Sequence, residues 1–454
     1  MNLVYNIKDK PKFGQVILFA LQQLLAIMAA TIAVPSIVGN GMSQTAALFG
    51  AGVGTLVYLF FTKFRSPVFL GSSFAFLGSM FAAFAGAYSS VELGYVGLVL
   101  GALFAGLVYV IIAIVVKFVG VKWIDKIMPA VVIGPTVAII GLSLAGNAIG
   151  DLTGGAVSAS PYVCIVCGLV TLAVTMLCSV FGKKMLKMIP FVIGIVAGYV
   201  VASLFTVIGN LAGIPELVVI DFSKFQSITW VPDFTFLKFG DGFKKLFELF
   251  AEKPEVGQLN KGVAYILSIA VAYAPVAFVV FAEHIADHKN LSSIIGTDLT
   301  KDPGLHRTLL GDGIGSFAGA LFGGCPNTTY GESIGCVAIS GNASVVTILA
   351  TAILAIIISF VGPFATFLAT IPGCVMGGVC IALYGFIAVS GLKMIQKVDL
   401  NNTRNLFVVS VILIAGVGGL SVSFGNVTLT EVACALILGI LTNLILGGMK
   451  KDAQ

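Results

Sequence analysis

The chain reads as an all-α integral membrane protein of fourteen transmembrane spans, built as a 7+7 inverted repeat with short extended segments breaking spans 3 and 10. Three observations carry that reading. The composition belongs to a protein dissolved in lipid, the basic residues alternate in a way that fits fourteen crossings, and two pairs of similar segments recur seven spans apart.

The composition excludes a soluble fold. Of 454 residues, 58% are hydrophobic and 10% charged, whereas a soluble domain carries roughly a quarter charged residues. Net charge is +5, yet the basic residues stand singly or in pairs between apolar runs and form no stripe, so no nucleic-acid partner is expected. The polar opening, Met1 to Phe13, carries Lys8, Lys10 and Lys12, and no small-residue cleavage site follows the first apolar run. An uncleaved first span is therefore expected rather than a signal peptide.

Apolar runs long enough, or nearly so, to cross ~30 Å of hydrocarbon begin near residues 14, 45, 67, 93, 127, 160, 187, 262, 306, 328, 344, 372, 404 and 428. The third and tenth are short and broken by polar residues. Cytoplasmic loops collect Lys and Arg, which tests the count. With the N-terminus inside, Lys63 and Arg65, then Lys117, Lys122 and Lys126, then Lys183, Lys184 and Lys187 face the cytoplasm. In the second half Lys289, Lys301 and Arg307, then Lys393, Lys397 and Arg404, then Lys450 and Lys451 join them. Together with the three N-terminal lysines these are nineteen of twenty-five basic residues, and the other six lie in the long segment 209–261. Removing either short span would break the pattern, so both termini are expected in the cytoplasm.

The repeat shows in Pro129-Ala-Val-Val-Ile-Gly134 and Pro372-Gly-Cys-Val-Met-Gly377, which open the fifth and twelfth spans. An odd number of crossings between them means that the halves insert in opposite orientations. The short spans repeat the interval: Pro67-Val-Phe-Leu-Gly71-Ser-Ser-Phe74 opens the third, and Pro326-Asn-Thr-Thr-Tyr-Gly-Glu332 the tenth. Paired interrupted segments of this kind point to a midplane binding site. Extended backbone at that depth must pair with protein or ligand. Two such segments meeting antiparallel satisfy each other and leave two half-helix N-termini, with free N–H groups and positive dipole ends, facing a substrate.

Carboxylates at membrane depth cost at least ~2.5–3.5 kcal/mol and mark pathways, relays or substrate sites. Glu283 ends the apolar run from Tyr265 to Ala282, and Glu332 lies in the polar patch that opens span 10. Two such acids argue for a transporter. Asp312, in Gly311-Asp-Gly313, is either a proton relay or a packing hydrogen-bonder, and Glu431 opens span 14, where an acid suits the helix dipole. The run Glu283-His284 and His288 lacks the His-Glu-x-x-His spacing of a zinc enzyme. Cys164-x-x-Cys167 has no second pair, so neither a metal nor another cofactor is expected, and the eight cysteines read as small packing residues. Lys244 to Phe250 reads as a short amphipathic helix within segment 211–260, either interfacial or part of an external lid.

At these residues the chain resembles the nucleobase–ascorbate transporter family, and within it the bacterial uracil permeases. The resemblance runs along nearly the whole chain, through Gly71-Ser-Ser-Phe-Ala-Phe76, Ala282-Glu-His-Ile-Ala-Asp-His288, Asp302-Pro-Gly-Leu-His-Arg307, Pro326 to Glu332, and Ala382-Leu-Tyr-Gly385. It implies a core domain of spans 1–4 and 8–11 (residues 1–125 and 261–371) and a gate domain of spans 5–7 and 12–14 (126–210 and 372–454). It further implies that Glu283 and Glu332 hold a pyrimidine ring, with backbone N–H groups at Phe74 and Gly331 completing the polar contacts. Tyr330 would line the site and Ala30 would be a nonpolar wall. Glu283, His288 and Tyr384 would form the proton-coupling network. Two departures stand out. The family's Asn after the signature acid is Ser333 here and its later Thr is Ser340, while the first span, commonly Gln-His, reads Gln22-Gln23.

A nucleobase such as uracil offers alternating N–H donors and C=O acceptors. Carboxylates accept and helix-terminal amides donate, which matches a lactam edge; charge-assisted bonds of this kind are roughly twice as strong as neutral ones. The expected activity is proton-coupled import of uracil by alternating access, with uracil or a related nucleobase, protons and the lipid bilayer as partners. A xanthine or purine symporter of the same family, or an anion exchanger of the same architecture, is the alternative. A channel is disfavoured by the crowded, proline-broken centre. Oligomeric state stays open, a homodimer included.

Overall fold

The computed structural model describes residues 3–120, 123, 129–183, 186, 189–254, 258–424 and 427–448. Lys122, Lys126, Lys184, Lys187, Lys450 and Lys451, used above for orientation, lie outside them, as do the expected starts of spans 5 and 7.

In chain order the elements are α1 (Phe13–Val38), α2 (Gln44–Phe61), β1 (Leu70–Ser72), α3 (Leu77–Ala85), α4 (Val91–Val119), α5 (Ala130–Ser143), α6 (Ala145–Thr153), α7 (Pro161–Phe181), α8 (Pro190–Ala212), α9 (Phe239–Ala251), α10 (Lys261–Ile295), α11 (Leu305–Gly323), β2 (Asn327–Thr329), α12 (Gly331–Ser340), α13 (Val345–Ile358), α14 (Gly362–Thr370), α15 (Gly373–Ile395), α16 (Thr403–Val417), β3 (Val422–Phe424), β4 (Val427–Leu429) and α17 (Glu431–Gly448). Helix starts follow the sequence. Ser43 and Ser90 accept the backbone N–H groups of Ala46 and Leu93 to cap α2 and α4, and Pro161 and Pro190 open α7 and α8, where a missing N–H costs nothing.

The protein is a mostly helical membrane protein. Among the described residues eight helical stretches, one of them α5 taken together with α6, are long and apolar enough to cross a bilayer. The apolar run from residue 344 is not one straight helix: α13 and α14 meet at an 83° bend, and Gly362 with Pro363 starts the second piece. Both short runs break as expected. β1 leads through a 3-10 turn (Phe74–Phe76) into the nine-residue α3, and β2 leads into the ten-residue α12. The run expected from residue 428 starts later, at Glu431, because 427–429 pair as a strand with 422–424.

The chain divides into two compact units. The first holds residues Met1–Ser73, Ala145–Thr235 and Asp287–Leu383. Its centre is the pair α2 and α11, which approach backbone to backbone. Gly50 and Gly54 on α2 face Gly315, Gly319 and Gly323 on α11, and a methyl group built at Gly54 would lie 2.7 Å from the Gly315 carbonyl oxygen. Small residues four apart allow this approach, which is where packing energy comes from in lipid. Asn327 donates to the Gly50 carbonyl at 3.1 Å and so ties β2 to the same seam. Elsewhere in this unit Gly194 and Gly198 of α8 accept the threonines Thr175 and Thr171 of α7.

The second unit holds Phe74–Leu144, Phe236–Ala286 and Tyr384–Gln454. Here α4 receives α3 on one side and α9 on another, while α5 packs on α16 and α17. Tyr265 is buried, and its hydroxyl donates to the carbonyls of Ala83 and Leu93 at 3.0 and 2.9 Å. The segment from Lys244 to Phe250 is helical, as expected, within α9; Leu246 and Leu249 are buried while Phe247 is exposed.

Candidate substrate site

The site is built around the corner where β2 turns into α12. β1 and β2 run antiparallel, pairing Leu70 with Thr329, Gly71 with Thr328 and Ser72 with Asn327. The ladder is extended at both ends: Ser73 N–H donates to the Pro326 carbonyl at 2.9 Å and Tyr330 N–H to the Phe69 carbonyl at 3.2 Å. Side chains satisfy the outer edges. Thr55 of α2 accepts from Leu70 N–H at 2.9 Å, and Ser316 of α11 accepts from Asn327 N–H at 3.0 Å. This accounts for extended backbone in a region where water cannot serve it.

Tyr330 locks the corner. Its ring lies over Gly71, where a Cβ would meet the ring's Cδ2 at 2.9 Å and two further ring carbons closer still. Its hydroxyl donates to the Ser72 carbonyl at 2.7 Å. The residue expected to line the site is thus buried against the strands. Next come Gly331 and Glu332, the first residues of α12. Space is open beside Gly331, with nothing within 4 Å of where a Cβ would stand, and the same holds one turn on at Gly335. The first amides of a helix have no partner within it, so this end offers N–H donors beside a half-buried carboxylate, Glu332.

The two departures from the family pattern meet each other. Gln23 of α1 donates through its side-chain N–H to the Ser333 hydroxyl, and also to the Ser333 carbonyl at 3.2 Å. The Ser333 hydroxyl in turn accepts from Phe69 N–H at 3.0 Å. Ser333 and Gln23, the two positions that depart from the family pattern, are thus direct hydrogen-bond partners. Both residues are buried, so the clasp holds the first turn of α12 to α1 and to the residue ahead of β1. Ala30, further along α1, is buried at 2% exposure.

His288 is also buried, and its Nε2 lies 2.7 Å from the Tyr58 hydroxyl, which donates onward to Ser66 at 2.7 Å. Asp287 accepts from Thr329 of β2 at 2.8 Å. A chain of polar side chains thus underlies the strand pair within the first unit, and Asp312 is buried in the same unit. In the second unit Glu283 is exposed on α10, while His284 is buried with its ring edge-on to Tyr109 at 6.2 Å. Phe74 and Tyr384 meet edge to face at 6.0 Å. The carboxylate of Glu431, at the start of α17, stands 3.7 Å from the Cβ position of Gly78 on α3. Among the described residues no group of three or more His, Cys, Asp or Glu could hold a metal ion.

Comparison with known proteins fits this architecture. A family model described as "Permease family" matches residues 14–424. The chain belongs to this permease family. The permease is 39% identical to the uracil permease of Bacillus caldolyticus, over 99% of this chain and 96% of that one. It is 35% identical to the uracil permease of Escherichia coli (strain K12), over 97% and 93%. These relatives are transporters and not enzymes, and they bear out the resemblance read from the motifs. The fold is also that of the transmembrane domain of a cyanobacterial bicarbonate transporter, BicA, with a TM-score of 0.60, 16% identity, and coverage of 96% of the permease and 99% of that chain.

Sequence reasoning missed three members of the polar framework. Asp287 stands four residues after Glu283, one helical turn on, and that spacing was readable. Tyr58 and the partnership of Gln23 with Ser333 had no such signal, because the partners lie 230 and 310 residues apart.

Proposed function

We propose that this permease imports uracil across the cytoplasmic membrane, coupled to protons, by alternating access. The corner at Tyr330–Glu332 carries the reading. A strand pair satisfies its own backbone and presents helix N–H donors beside a carboxylate, in a chain related over nearly its full length to uracil permeases. Uracil's ring N–H groups would be accepted by Glu332 and Glu283, and its carbonyls by the N–H groups at Gly331 and Phe74. The bonds to the two carboxylates are worth ~1.5–3 kcal/mol each and those to the backbone N–H groups ~0.5–1.5 kcal/mol each, so the four together orient the ring and select its edge. His288, Tyr384 and Glu283 would move the proton, and Ala30 would wall the pocket.

The same reading places fourteen spans in a 7+7 inverted repeat with both termini in the cytoplasm. Spans 1–4 and 8–11 act as core and spans 5–7 and 12–14 as gate. A purine such as xanthine is the second reading, because Ser333 and Gln23 stand where the family commonly has Asn and His. An anion exchanger is the third, on fold likeness alone; two carboxylates disfavour it.

Uptake of a labelled nucleobase panel in transport-deficient cells tests the proposal. Uracil should accumulate, uptake should collapse with a protonophore, and sodium removal should change nothing. Purine uptake equal to that of uracil would replace the substrate, and sodium dependence at constant pH would overturn the coupling. Glu283→Gln should abolish concentrative uptake while leaving folded protein in the membrane; wild-type rates in that variant would remove Glu283 from the mechanism.

A further inference from the structure

The ten residues of α12 carry Glu332 in their first turn, and a helix this short is marginal without tertiary support. Besides the core cluster that buries Ile334 and Val337, both ends of α12 are held by one continuous stretch of chain, the segment ahead of α1 together with α1 itself. Residues 3–10 alternate half-buried and exposed and include a turn in which Asp9 N–H donates to the Asn6 carbonyl at 3.1 Å. This strap lies beside the turn that follows α12. The N–H groups of Val4 and Tyr5 both donate to the Gly341 carbonyl, at 2.8 and 3.2 Å, and Gly341 is the left-handed C-cap of α12. Ala343 N–H donates back to the Tyr5 carbonyl at 2.9 Å, and Val345 N–H to the Ile7 carbonyl at 3.1 Å. The Ser344 hydroxyl donates to the Asp9 carbonyl at 2.6 Å. Leu3 and Ile7 pack on the cluster that contains Ile334 and Val337, the buried face of α12.

The strap is fastened to α1. The Tyr5 hydroxyl donates to Gln15 at 2.7 Å, and its ring stands edge-on to Phe19 at 6.1 Å. Eight residues further along α1, Gln23 clasps Ser333 at the other end of α12. From Gln15 to Gln23 a helix rises ~12 Å, and from Ser333 to Gly341 it rises ~12 Å as well. The two stretches run antiparallel with matching lengths, and both ends are pinned.

We propose that residues 4–23 form a bracket that positions α12, so that the strap, although it meets α12 at the end away from Glu332, sets the placement of Glu332 and hence substrate affinity. Tyr5 and the Val4 backbone are positioning groups and touch no substrate. The inference rests on the uracil reading for its affinity readout but not for its structural one.

Val4 offers a clean perturbation, because its side chain is 63% exposed while its N–H is bonded. Val4→Pro removes the N–H and also fixes φ there; Val4→Ala keeps the N–H. Uracil binding to the purified full-length protein is measured by calorimetry, alongside hydrogen exchange across residues 331–340. Val4→Pro should weaken uracil binding about fivefold and speed exchange in the last turn of α12, while Val4→Ala matches wild type in both. A merely structural role would lower the yield of folded protein and leave the dissociation constant of the folded fraction unchanged. The bracket is overturned if Val4→Pro binds uracil within twofold of wild type, or if exchange in α12 does not change. Should the wild-type protein not bind uracil at all, the transport reading fails first, and the exchange comparison alone then decides whether the strap holds α12.

Discussion

Gly71→Ala is the substitution that most directly tests the corner. The added methyl would stand 2.9 Å from Cδ2 of Tyr330, and nearer to two further ring carbons. Carbon atoms rest at ~3.5–4.0 Å, so the ring must retreat by about 1 Å or more. It cannot do so freely. Its hydroxyl is fixed at 2.7 Å on the Ser72 carbonyl, and a shift of that size takes the pair beyond hydrogen-bond distance. Overpacking costs ~1–3 kcal/mol and the lost hydrogen bond ~0.5–1.5 kcal/mol. The total of ~2–4 kcal/mol falls on the strand pair that holds both half-helices. The expected result is a lower melting temperature in detergent and loss of uracil uptake per folded molecule. Tyr330→Val makes room for the methyl, so Gly71→Ala should cost much less in that background. Such non-additivity is the mark of direct contact. Wild-type melting and uptake in Gly71→Ala, or strictly additive effects in the double variant, would refute the argument.

Other outcomes follow from the same geometry. Ser333→Ala deprives Phe69 N–H and the Gln23 amide of a common buried acceptor, at ~1–3 kcal/mol. Its melting temperature should fall, and Gln23→Leu in the same chain should restore part of the loss; a further fall with the second change would contradict the clasp. Glu332→Gln replaces an acceptor by an amide whose donor can face a ring N–H, and uracil affinity should drop by about one to two orders of magnitude; unchanged affinity in calorimetry would remove Glu332 from the site. Gly319→Val forces apart the backbones of α2 and α11, with the Asn327 amide carbon already 2.8 Å from the Cβ position. No folded protein should survive detergent extraction, and a stable, active variant would show that the seam is loose.

What could be read without coordinates was whatever repeats locally or obeys the bilayer. The breaks at Pro67–Phe74 and Pro326–Glu332 announced themselves because polar residues and glycine interrupt apolar runs, and their antiparallel pairing followed from the need to satisfy backbone at depth. Glu283 and Glu332 stood out by cost alone. The 83° bend between α13 and α14 was less legible, since Gly362-Pro363 inside an apolar run signals a break but not its angle. The strand pair ahead of α17 was missed because Val422–Phe424 and Val427–Leu429 are short and adjoin the apolar run of the span, although their alternation of apolar and polar residues was readable. Least legible were the polar links that fix the site: Gln23 with Ser333, Tyr58 with His288, Asp287 with Thr329. Each joins spans far apart in sequence, and periodicity within one span carries no information about its partner in another.

Helix N-termini with open amides are anion sites by default, through their dipoles and unpaired N–H groups. A backbone of this kind with nothing added would favour a negatively charged substrate. On the uracil reading, the carboxylate of Glu332 in the first turn of α12 would offset the helix's attraction for an anion and supply the acceptor that a neutral ring's N–H group needs. That is why Tyr330, Ser333, Gln23 and the strap ahead of α1 matter although none of them need touch the ring. An acceptor aimed about 1 Å wide no longer discriminates by hydrogen bonding, and every one of those contacts fixes where the first turn of α12 points.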